Sequence, residues 1–123
     1  MASPLRSATL FFAGLMGGAG VALAASASHG SDPRLLASAS AMCLAHAPAL
    51  IAIYAVWSSM RTAPLAAGLM ALGTSLFAGD LVVRHFSGHG LFPMSAPLGG
   101  LLMIAAWLAV ALGAFMPSAR EPR

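Results

Sequence analysis

The chain contains no lysine, and its 123 residues include only six arginines and three acidic residues. A soluble domain devotes about a quarter of its residues to charge, so 7% charged residues excludes an ordinary water-facing surface. The arginines are scattered singly, which leaves no basic patch of the kind a nucleic-acid surface needs, despite a sequence pI near 10.6. The one cysteine, Cys43, rules out an intramolecular disulfide, and neither zinc-binding nor haem-attachment spacing occurs. It reads as a small core residue. Phosphate-binding glycine loops, nucleophile elbows and paired carboxylates are also missing, so the sequence assigns no catalytic residue, no cofactor and no metal, and points away from an enzyme.

What is present is apolar. Hydrophobic residues make up 59% of the chain, and the mean hydropathy is +0.88. A membrane span needs roughly 20 mostly apolar residues, and four runs meet that length, at about 8–27, 35–57, 65–83 and 96–115. In a bilayer every backbone polar group must be satisfied internally. The expected fold is therefore all-α, an integral membrane bundle of four antiparallel transmembrane helices formed by residues 1–123 as one domain, with the lipid bilayer as its first partner. The first run also resembles a cleavable signal, with Arg6 before it and the small residues Ala25-Ser26-Ala27 at its end. Its apolar core exceeds the roughly 7 to 15 residues of a signal h-region, which favours a retained span.

Helix punctuation falls between the runs. Ser31-Asp32-Pro33, Thr62-Ala63-Pro64 and Ser95-Ala96-Pro97 each offer an N-cap followed by proline in the first turn. The link at Arg61 is short, whereas His85 to Met94 reads as the one real loop. Arginine counts set the topology. With both termini cytoplasmic, Arg6, Arg61, Arg120 and Arg123 lie inside, and only Arg34 and Arg84 lie outside, the arrangement the positive-inside rule favours.

Two kinds of position are candidates for function. Gly14, Gly18 and Ala22 recur every four residues in the first run, a small-residue stripe that lets another helix approach closely, either inside the bundle or from a partner; Gly99 and Gly100 offer the same in the fourth run. Ionisable residues within a span are functional candidates by default. Asp80 lies in the third run with Arg84 four residues later, on one helix face, which reads as an intrahelical ion pair. His46 falls roughly 16 Å into the second run, near the bilayer centre, as a satisfied core histidine or a relay group. Pro48 frees the Leu44 carbonyl nearby. His29, His85 and His89 gather at the outer ends of the first and third runs. A bis-histidine haem would need His29 and His85 at equal depth, which nothing in the sequence demands.

These residues resemble a family. The first run ends Ala24-Ala25-Ser26-Ala27-Ser28-His29, the second holds Ala45-His46-Ala47, and the third holds Phe77-Ala78-Gly79-Asp80. The fourth begins Ala96-Pro97-Leu98-Gly99-Gly100 and continues to Ala106-Trp107. Over nearly its whole length this order is similar to the YgdD/YwdK family of small bacterial inner-membrane proteins, a domain of unknown function. The resemblance implies a four-helix inner-membrane protein and no particular reaction. Family members often carry serine where Asp80 sits, so the resemblance makes Asp80 and Arg84 a subgroup feature. The leading expectation is a non-enzymatic accessory or assembly protein that meets a larger membrane complex, or a second copy, through helix faces. The alternatives are a small transport or ion-relay protein using His46 and Asp80, and a haem- or quinone-binding redox subunit.

Overall fold

A computed structural model describes residues 3–118. Arg120 and Arg123, two of the arginines that set the expected topology, lie outside that range. Four helices follow in order, α1 (Pro4–Ser28), α2 (Arg34–Ala55), α3 (Ala63–Ser87) and α4 (Ser95–Gly113). Each is long and apolar enough to cross a membrane.

The ends differ from those read off hydropathy, because helices stop where backbone hydrogen bonds stop. α1 begins four residues early: the Ser3 hydroxyl accepts from the Arg6 amide at 3.2 Å, and Pro4 takes the first helical position, where its missing N–H is no loss. α3 continues past Arg84 and His85 to Gly88, whose φ of 81° ends the helix in a left-handed cap. The loop expected at residues 85–94 is therefore shorter, and His85 is helical.

Two of the three expected N-caps fall elsewhere, and the third holds its position without a cap bond. α2 starts after Pro33, and Asp32 accepts from the Arg34 amide at 3.3 Å. Thr62 occupies the cap of α3 but makes no cap bond; its hydroxyl donates instead to the Ala109 carbonyl of α4 at 2.7 Å. Ser95 is the first residue of α4, not its cap, and Met94 precedes it at a φ of 68°. Away from water, a hydroxyl that ties two helices together satisfies more than one that caps its own.

Packing is chain-like. α1 lies along α2 and only brushes α3, α3 lies along both α2 and α4, and the backbones of α1 and α4 stay apart among the described residues. Arg6 meets Tyr54, and Ser40 donates to the Gly20 carbonyl at 2.6 Å, so α1 and α2 run in opposite directions. Thr62 meets Ala109 while Asp80 meets Ser95, which reverses α4 against α3. At the Arg6 end, the C-terminal segment pairs with the α2–α3 link: Arg61 N donates to the Met116 carbonyl at 3.4 Å and Ser118 N to the Ser59 carbonyl at 3.2 Å.

Small residues build the interior. Ala13, Ala39, Cys43, Ala47, Ala63, Ala66, Ala67, Ala106 and Ala109 are buried with Met16, Leu50 and Met70, while Phe11, Leu15, Leu72, Leu101 and Leu108 point outward. Lipid tails are as apolar as leucine, so no hydrophobic drive pulls bulk inward, and close backbone approach does the packing. At Gly73 an added Cβ would sit 2.8 Å from the Gly99 carbonyl and the Met103 amide; at Gly99 it would sit 2.6 Å from the Phe77 amide. α3 and α4 thus touch backbone to backbone.

The glycines singled out in α1 do not share that role. Cβ atoms at Gly14, Gly18 and Gly100 would meet nothing within 4 Å, and Ala22 is exposed. Within the bundle the α1 contact is made by Ala13, Met16, Gly17 and Gly20, the last against Leu44 and Cys43 of α2. Of the expected helix-packing residues, Gly99 packs between helices, Gly14, Gly18 and Gly100 face open space, and Ala22 is exposed on the side of α1 that looks toward α3; packing mainly on α2 leaves most of α1's circumference uncovered.

Candidate functional site

Asp80 is the most constrained polar residue. It sits two turns before the end of α3 with 0% of its surface exposed. Its carboxylate accepts from the Ser95 hydroxyl at the start of α4, from the Leu91 amide at 2.9 Å, and from Arg84 Nη2 at 3.3 Å. The expected ion pair with Arg84 exists, but that side chain is 45% exposed, and two donors beyond the helix share the carboxylate. α4 lacks a side-chain cap of its own, so a carboxylate borrowed from α3 stands at its N-terminus, where negative charge is favoured. Gly90 permits this approach, since a Cβ there would land on the Asp80 carboxylate and the Arg84 guanidinium. The sequence pairs Asp80 with Arg84 through helical spacing. It holds no comparable signal for Leu91, Gly90 or Ser95, which loop conformation alone brings to the carboxylate.

His46 is buried, and both of its ring nitrogens are engaged. The Trp107 indole N–H donates to Nε2 at 3.1 Å, so Nδ1 carries the proton and donates to the Met42 carbonyl at 2.8 Å. The two rings are tilted at 58° with centroids 5.9 Å apart. This contact joins α2 to α4, whose backbones stay apart. The Leu44 carbonyl, which Pro48 deprives of its helical donor, is not the acceptor. No spacing in the sequence pairs Trp107 with His46.

Among the described residues no three His, Cys, Asp or Glu side chains, the outer-end histidines included, come together to hold a metal. His85 stacks edge-on against Phe86 at 4.9 Å, and the His89 carbonyl accepts from the Ser87 hydroxyl at 3.0 Å. Asp32 and Arg34 form an exposed bidentate pair, with Nε and Nη2 at 3.1 and 3.2 Å. That guanidinium holds the Asp32 carboxyl below its ordinary range. At the opposite end Arg6 donates to the Tyr54 carbonyl at 3.3 Å and lies 4.6 Å over the Tyr54 ring, a cation at the C-terminus of α2.

Of the buried side-chain polar atoms described, only Thr74 Oγ1 lacks a partner. Thr74 forms part of the floor of a lateral apolar groove of about 540 Å³ between α1 and α3, walled by Phe12, Leu15, Ala22, Ala78 and Val83.

No solved structure matches the chain. A family described as "Protein of unknown function (DUF423)" matches residues 23–100. That stretch holds His46 and the whole Asp80 cluster but excludes Gly14, Gly18 and Trp107. With well over half of the chain matched, and the matched part running from the C-terminal end of α1 into the N-terminal part of α4, the protein belongs to the DUF423 family.

Proposed function

We propose that this protein is a non-catalytic accessory or assembly subunit of a bacterial inner membrane, oriented with both termini in the cytoplasm and acting through the outward face of α1 on a larger membrane partner. The observation that carries the reading is the use made of its intramembrane polar groups. Asp80, His46, Ser40, Thr62 and Ser95 all make bonds inside the bundle, so both candidate relay groups are engaged within the fold. The surface left over is Gly14, Gly18 and Ala22, where a partner helix meets no bulk. The orientation rests on the arginine distribution, since both described aspartates lie at one end, each bonded to an arginine, and Arg6 and Arg61 lie at the other.

The test is solubilisation in mild detergent, sizing, and identification of co-migrating proteins for wild type and Gly18→Leu. The expected result is a co-migrating membrane protein that the variant loses while its own helical content and monomer stability are retained. A wild-type protein that migrates alone, with proton or solute flux after reconstitution that His46→Ala or Asp80→Asn abolishes, replaces this reading with transport. A Soret band in the purified protein replaces it with haem binding.

A further inference from the structure

The segment between α3 and α4 is bounded by two left-handed residues. Gly88, at a φ of 81°, adopts this conformation freely, whereas Met94, at 68°, is the one non-glycine residue among those described with a positive φ. A β-carbon in that region clashes with the following carbonyl oxygen, and such strain persists only where surrounding contacts over-determine it. Those contacts are on either side of the strained residue: Leu91 N and Ser95 Oγ both bond to the same Asp80 oxygen. The side chains between the hinges gain little from closure, with Met94 71% exposed and Leu91 and Phe92 about half exposed. The segment is thus held down by polar bonds at one carboxylate and opposed by its own backbone.

We infer that residues 88–94 form a latched strap, which lifts as one unit about Gly88 and Met94 when its bonds to Asp80 break, baring the buried carboxylate and the first turn of α4 at the end of the bundle. Asp80 is the latch, Ser95 and Leu91 are its two catches, and strain at Met94 biases the strap toward opening. Neither a helix-docking role nor a transport role for the protein is required.

Amide hydrogen exchange on the full chain in micelles, followed residue by residue by NMR, tests this, with Leu91 as reporter and Ala78 and Leu81 as references within α3. Ser95→Ala is expected to speed Leu91 exchange about tenfold, the effect of losing one hydrogen bond to a charged acceptor, without moving the references. Met94→Asn, which places a residue tolerant of the left-handed region at the hinge, is expected to slow it. A Leu91 rate that neither variant changes, or that changes only in step with Ala78 and Leu81, overturns the strap and makes the segment a fixed part of the fold. If Ser95→Ala does not fold, Met94→Asn decides alone: slower exchange at Leu91 supports the latch, and an unchanged rate overturns it.

Discussion

Gly99 and Gly14 are the same residue in equally apolar helices, yet a Cβ at the first would strike the backbone of α3 and a Cβ at the second would meet nothing. The α3–α4 pair is bonded through glycine contacts, through Thr62 to Ala109 and through the Asp80 carboxylate. α1 leans on α2 through alanine and Gly20 and turns its Gly14–Gly18 stripe outward. A small-residue stripe therefore marks a surface able to take a close neighbour, and the fold decides whether that neighbour lies in the same chain.

The largest expected break in this contrast comes from bulk. Gly99→Leu should lower stability by about 3 kcal/mol through overpacking, while Gly14→Leu stays within about 0.5 kcal/mol in the isolated protein. Thermal unfolding in detergent, followed by circular dichroism, compares the two, and equal losses would mean that α1 packs on its stripe after all.

Next is the carboxylate. If Asp80 were simply the partner of Arg84, removing Arg84 alone would harm more than replacing both residues by apolar ones, since an unpaired buried charge would remain. With two further donors on the carboxylate the order changes: Asp80→Ala, which orphans Leu91 N–H and the Ser95 hydroxyl, should cost about 3 kcal/mol, and Arg84→Leu about 1 to 2. The double variant should resemble Asp80→Ala. A double variant more stable than Arg84→Leu would restore the simple ion pair.

Trp107→Phe removes the donor to His46 Nε2 and should cost about 1 kcal/mol. The accompanying observable is the His46 Nε2 chemical shift, expected to move while the Asp80 cluster stays unperturbed.

The smallest effect is at the surface. Arg34 lowers the Asp32 carboxyl, so its contribution to stability is present above the ordinary aspartate pKa of about 3.9 and fades as pH falls through the lowered folded value. Titration of the Asp32 carboxyl by NMR should give a midpoint below that of a free aspartate, returning toward it in Arg34→Ala. Because both groups are exposed, unfolding curves should barely register the change.

Much of this molecule is legible along the chain. The four runs and the register of Asp80 with Arg84 need only local rules, because span length and helical spacing are local quantities. Thr62 takes the cap position that its residue type offers, whereas Ser95 does not. Each has the residue types of a cap, and each hydroxyl is drawn to an acceptor on a neighbouring helix that local sequence does not show. Trp107 stands 61 positions from His46, and no spacing rule connects them.

The sequence by itself determined the number of helices and that each is long and apolar enough to cross a membrane, since apolar content and run length decide both. Which face of each helix is buried was left to tertiary structure. In water, polar residues mark the outer face of a helix and apolar periodicity marks the inner one. In lipid both faces are apolar, so Gly14 and Gly99 carry the same local signature, and only the assembled backbones separate a contact from a free surface.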